Sequence, residues 1–214
     1  QPEISQGTLQ TIYEFQSLVG QLTGLPVVSA SHYDGAAATA EAALMTVRAT
    51  RRDRVLISRA LHRHYIETAR TYFAPGVRGV EELPTTPEGL TDLAALEAAL
   101  ADPDHPVAGV ILGQPNAFGL LEPMARAAEL AHAAGALFVA VVEPTSLAVL
   151  APPADYGADI AAGEGQPLGI APQYGGPYLG LLACTRELMR QIPGRLVGRT
   201  TDVEGRRAFD MTLR

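Results

Sequence analysis

The sequence predicts an α/β domain built on a mostly parallel sheet, and three observations carry that prediction. Short apolar runs alternate with longer amphipathic segments along the whole chain. The runs VLIS, VAGVILGQP, ALFVAVV and DIAAG are nearly continuous in apolar residues rather than alternating, as in strands buried on both faces. With 214 residues, 47% hydrophobic and only 18% charged, the chain can bury one sizeable core.

The elements follow in order. Ile12, Phe15, Leu18, Val19 and Leu22 recur at helical spacing, and Gly24 then Pro26 end that helix. A short apolar stretch, PVVSAS, comes next. Asp34 is placed to cap an alanine-rich helix, GAAATAEAALMTVRAT. RRDR turns the chain into the strand VLIS (55–58). A helix over roughly 62–73 and a short strand near VRGVEEL follow. LTDLAALEAALA (90–101) has Thr91 and Asp92 as start signals and leucines at helical intervals. VAGVILGQP (107–115) is a strand, and EPMARAAELAHAAG a helix with Pro123 near its start and Gly135 at its end. ALFVAVV, DIAAG (159–163) and YLGLLAC (178–184) are strands, and RELMRQI is a short helix. There is no internal repeat and no low-complexity linker.

Charge and composition exclude several classes. The net charge is −7 and the basic residues are scattered, which argues against nucleic-acid binding. The longest uncharged apolar run, AAGALFVAVV (133–142), is too short to span a bilayer. No N-terminal signal pattern is present, and the single Cys184 cannot form an internal disulfide, so a cytoplasmic location is expected. The chain contains no lysine: all 16 basic residues are arginines. No side chain here can therefore hold an aldehyde cofactor as a Schiff base. A chain that opens on Gln1 and closes on FDMTLR is expected to be a domain lifted from a longer protein.

In a doubly wound sheet, ligands gather beyond the carboxyl ends of the strands. The residues there are Ser29, Ser31 and His32; Ser58 and His62; Gln114 and Asn116; Glu143, Thr145 and Ser146; Glu164 and Gln166. SASHYDG (29–35), just before a helix start, has the composition of a phosphate cradle and equally that of an ordinary cap. It is not a dinucleotide fingerprint, and no Walker A motif is present. His62 and His64 in LHRH are two apart and face different ways, and one cysteine makes a zinc site improbable, so no metal is expected. His62 has the position to stack on a planar cofactor, or simply to cap a helix. In VVEPTSL, Glu143 ends the most buried strand, where a carboxylate can pair with a pyridine nitrogen or cap a turn. GEGQPLG (163–169) and QYGGPYLG (173–180) are glycine-rich and carry no obvious nucleophile.

QPEISQG, SASHYDGAAATAEA, GQPNAFGLLEP, GEGQPLG, YGGPYLG and IPGRLVGRTTDVEGRRAF, in this order, resemble the glycine dehydrogenase (decarboxylating) family. These are the P-proteins of the glycine cleavage system, and more narrowly the resemblance is to the alpha chains, subunit 1, of the two-subunit form. The resemblance implies the three-layer αβα fold of type I, aspartate-aminotransferase-like enzymes, with a mostly parallel seven-stranded mixed sheet and YLGLLAC as its antiparallel strand. Residues 1–214 would then be a single large domain, truncated at both ends and without its small domain.

In the family's beta chains a His-Lys pair matches GEGQPLG, and that lysine binds pyridoxal 5'-phosphate. Here those positions read Gln166 and Pro167. The beta chain's Asp-Gly-Ala-Asn matches Glu143, Pro144, Thr145 and Ser146, and its stacking histidine falls near His62. The resemblance thus implies no catalytic residue on this chain, with His62, Glu143, Ser146 and Gln166 as a vestigial or interface remnant of a cofactor pocket at one rim of the sheet. It implies a heterotetramer in which the beta subunit, subunit 2, holds the cofactor, with none bound covalently to this chain. The assembly would decarboxylate glycine and pass the aminomethyl group to the lipoyl arm of H-protein. The alternative is a non-catalytic scaffold. The terminal segments QPEISQG and PGRLVGRTTDVEGRRAF are expected to lie open as a partner surface.

Overall fold

The computed structural model describes residues 1–30, 32–73 and 79–212. Five helices and nine strands are formed: α1 (Gln6–Thr23), β1 (Val27–Val28), α2 (Gly35–Thr50), β2 (Arg54–Ser58), α3 (Arg63–Tyr72), β3 (Gly79–Leu83), α4 (Leu93–Leu100), β4 (Val107–Gln114), α5 (Met124–Ala133), β5 (Leu137–Val142), β6 (Ile160–Glu164), β7 (Gly180–Cys184), β8 (Leu196–Thr201) and β9 (Arg207–Thr212). These counts refer to the described residues.

Seven strands form one sheet in the order β1-β7-β6-β5-β4-β2-β3. The neighbours from β6 through β5, β4 and β2 to β3 all pair in parallel. β7 runs antiparallel to both β6 and β1, as expected for YLGLLAC. The mixed, mostly parallel α/β sheet is therefore the one the sequence predicts. The strand end expected near Ser31 lies outside the described residues, as do Val77 and Arg78 of VRGVEEL.

Successive side chains of a strand point to opposite faces, and the buried residues sort accordingly. Val55, Ile57, Ile111, Val139 and Ile160 face α2 and α3. Leu56, Val110, Leu112, Phe138 and Ala140 face α4 and α5. Ala161, in register with Ala140, carries that second face on to α1 through Val19 and Val28. Three layers result, with both sheet faces dry, which is why the strands read as unbroken apolar runs.

Two details depart from expectation. Leu18, counted on the apolar face of α1, is exposed at 65%. RELMRQI makes only a 3-10 turn, Arg186–Leu188. The terminal segments are anchored only in part: β8 and β9 pair as a hairpin, and Leu9, Val197 and Phe209 form a small core with Ile12 and Tyr13, while Ile4 and Val203 stay exposed. Two glutamines of α1 act like strand edges here. Gln6 bonds both the N–H and the carbonyl of Phe209 (2.8 and 2.9 Å), and Gln16 does the same with Val197 (2.9 and 3.2 Å). No helix among the described residues is long and apolar enough to cross a membrane.

Candidate functional site

Because the strands are parallel, the loops after β2, β4, β5 and β6 emerge along one edge of the sheet. A cavity of about 440 Å³ opens there, walled by Asp34, Gly35, His62, Tyr65, Glu164 and Tyr178. A larger groove of about 740 Å³ lies elsewhere, against the β1 edge. Its walls, including Val27, Leu196 and Val197, are mainly apolar and offer no grouping of catalytic side chains.

His62 stands just before α3 and caps it, its Nδ1 accepting from the His64 amide at 3.2 Å. An accepting Nδ1 leaves the proton of a neutral imidazole on Nε2. The ring meets His64 and Tyr65 edge to face, with centroids 5.4 and 6.1 Å apart. Burial, followed by the nearby charges of Glu164 and Asp34, pushes the Tyr65 hydroxyl up to about 12. It therefore remains a neutral donor through the physiological range.

Glu164, the last residue of β6, organises this wall. Its Oε1 accepts from the amides of Gln166 (2.9 Å) and Leu179 (2.8 Å), and its Oε2 from the amide of Gly35 (2.9 Å). One carboxylate thus joins the glycine loop, the entry to β7 and the start of α2. Asp34 caps the same helix, its Oδ1 accepting from Ala37 at 2.7 Å.

The other residues singled out from the sequence share this edge but not this cavity wall. Glu143 turns back on its own loop, accepting from the Thr145 amide (3.1 Å), the Thr145 hydroxyl (2.6 Å) and the Ser146 amide (2.8 Å). Ser146 returns a hydrogen bond to the Glu143 carbonyl at 2.6 Å. Gln166 spans the glycine loop, its Nε2 donating to the carbonyls of Gly175 (3.1 Å) and Pro177 (2.7 Å), with Pro167 exposed beside it. His62 and Glu164 therefore share a cavity, Glu143 and Ser146 satisfy one another, and Gln166 shapes the loop between.

Gln114 and Asn116 belong to a buried polar cluster. Gln114 accepts from the Glu122 amide at 2.8 Å, and Asn116 donates to the Glu122 carboxylate at 2.9 Å. That carboxylate also takes the Thr91 amide, and Thr91 shares a 2.6 Å hydrogen bond with Ser58. Ser29 is buried, and His32 pairs with Gly180 through its backbone. Ser31 lies outside the described residues. Of these wall residues, the sequence names Glu164 among the strand-end candidates without assigning it to the cofactor pocket, and does not single out Tyr65. The available signals were an acid at a strand end beside Gly165 and an aromatic one turn from His62.

Pyridoxal phosphate tests poorly against this donor set. The chain offers no lysine, and carboxylates already hold the Gly35 and Ala37 amides at the start of α2.

The family model for the glycine cleavage system P-protein matches residues 1–214. The chain belongs to the glycine cleavage system P-protein family. It is 57% identical to the probable glycine dehydrogenase (decarboxylating) subunit 1 of Moorella thermoacetica, covering 100% of this chain and 47% of that protein. The corresponding subunit of Desulforamulus reducens is 50% identical with the same coverage. A crystal structure of glycine decarboxylase (P-protein) of the glycine cleavage system, in inhibitor-bound form, superposes with a TM-score of 0.91 at 46% identity, over 100% of this chain and 47% of that one. An alanine–glyoxylate aminotransferase from Nostoc shares the fold alone, with a TM-score of 0.62 at 21% identity over 86% of this chain and 47% of that one. The chain thus spans about half the length of the P-protein relatives it matches.

Proposed function

We propose that this chain is the large-domain part of the alpha component, subunit 1, of a glycine decarboxylase. The observation that carries the reading is the family match over every residue, 1–214, in a chain with 16 arginines and no lysine. Paired with a lysine-bearing subunit 2, it takes part in releasing carbon dioxide from glycine and passing the aminomethyl group to the lipoyl disulfide of H-protein. Pyridoxal phosphate supplies the electron sink for that decarboxylation and is held by subunit 2. The cytoplasm is the compartment this reading assigns.

On this chain, His62, Glu143, Ser146 and Gln166 shape the carboxyl edge of the sheet. Tyr33, Phe118, Val149 and Tyr174 are exposed in the loops of the same edge, which favours that face as the one offered to subunit 2. Co-expression with a subunit 2, followed by a glycine–bicarbonate exchange assay with lipoylated H-protein, tests the reading. Exchange is expected with both chains and absent with this chain alone. If subunit 2 exchanges equally well without this chain, the assignment is wrong.

A further inference from the structure

A helix start with free amides is a ready anion site, and SASHYDG places one at the edge where ligands of this fold class gather. In this chain two of the amides at the start of α2, those of Gly35 and Ala37, are already taken by its own carboxylates. Glu164 Oε2 accepts from Gly35 at 2.9 Å, and Asp34 Oδ1 accepts from Ala37 at 2.7 Å. Among the described residues, no arginine forms an ion pair with either acid.

Backbone packing enforces the arrangement independently of charge. A Cβ on Gly35 would come within 2.8 Å of the Glu164 nitrogen and 2.9 Å of the Gly163 carbonyl carbon. A Cβ on Gly180 would collide with the Asp34 carbonyl. The helix start therefore sits directly on the ends of β6 and β7, and an incoming phosphate would meet two carboxylates instead of open amides.

We propose that Glu164, with Asp34, is a resident anion that closes this chain's phosphate cradle, so that phosphate-bearing ligands are refused here. The role rests on the reading that the phosphate-bearing cofactor belongs to subunit 2. A site that refuses phosphate does not compete with the partner for it.

Titration calorimetry with inorganic phosphate tests the closure directly. The wild-type chain is expected to show no saturable binding. Glu164→Ala vacates three amides and is expected to bind phosphate at least about tenfold more tightly than wild type. Acetate is expected to raise the melting temperature of Glu164→Ala with saturation and to leave wild type unmoved at matched ionic strength. Should Glu164→Ala not fold, Glu164→Ser, whose shorter side chain cannot span to the Gly35 amide, is the second variant, and the same gain in phosphate binding is expected of it. Saturable phosphate binding by wild type, or no gain in a folded variant, overturns the proposal. The exchange assay is a separate readout: its failure would remove the assignment to subunit 1 without altering these titrations.

Discussion

Arg54 holds Glu81 Oε2 with two nitrogens at once, Nε at 3.0 Å and Nη2 at 2.9 Å, across the parallel β2–β3 pair. The guanidinium is buried, and its Nη1 also donates to the carbonyls of Ala99 (2.9 Å) and His105 (3.2 Å). It therefore joins β2, β3, the end of α4 and the approach to β4. A lysine cannot reproduce that fork. Arg54→Lys is expected to lower unfolding stability by about 1–3 kcal/mol, and Arg54→Ala by at least as much. Urea unfolding with an unchanged slope would measure it, and a Lys variant as stable as wild type would contradict it.

The Asn116–Glu122–Thr91 cluster is a second buried polar joint. Asn116 also accepts from the amides of Phe118 and Leu120 and donates to the Gly89 carbonyl. Asn116→Ala would strand several of these partners and is expected to cost about 1–3 kcal/mol. The exposed neighbour serves as control: Phe118→Ala is expected to unfold within about 0.5 kcal/mol of wild type. Equal losses in the two variants would show that the loop as a whole, not the polar cluster, sets stability.

Gly35 is required by close approach. Gly35→Ala would press on the Tyr65 hydroxyl and on the backbone of Gly163 and Glu164, at an expected cost of about 1–3 kcal/mol. Adding Tyr65→Phe removes only the hydroxyl contact, so the double variant is expected to remain destabilised. Full recovery in thermal melts would mean that the backbone contacts relax freely.

Acid should weaken the α3–β3 corner. Burial alone would raise the Glu82 carboxyl, but hydrogen bonds from Arg59 and Arg63 and the charge of Arg70 outweigh it and hold the group below its ordinary value of 4.5. A carboxyl lowered in the folded state contributes stability that is complete above the unfolded value and is lost as pH falls through the folded one. Unfolding free energy is therefore expected to decline below about pH 4.5, and Glu82→Gln to flatten that part of the decline. Parallel acid profiles for the two proteins would rule this contribution out.

The residues legible from sequence were those whose role is local. Asp34 could be read as a cap because the amide it holds, that of Ala37, is three positions on. The parallel strands could be read because burial on both faces leaves unbroken apolar runs. The hairpin β8–β9 is not legible in the sequence because only Val197 and Phe209 within it are buried, so its alternation is faint. Glu164 was visible as a strand-end acid, but its tie to Gly35 spans 129 positions and depends on how α2 crosses the sheet. Gln114 and Asn116 looked like ligand-facing residues because Glu122 and Thr91, which bury them, meet them only in three dimensions.

The pairing of Gln6 with Phe209 joins positions 203 apart. On the ribosome, α1 is made well before the strand that covers it. Until Phe209 emerges, Leu9, Ile12 and Tyr13 have no partner from the hairpin, and so wide a contact is slow to form. A nascent chain stalled before Phe209 is therefore expected to be clipped within α1 by a protease, whereas one extended well past Thr212 is protected there.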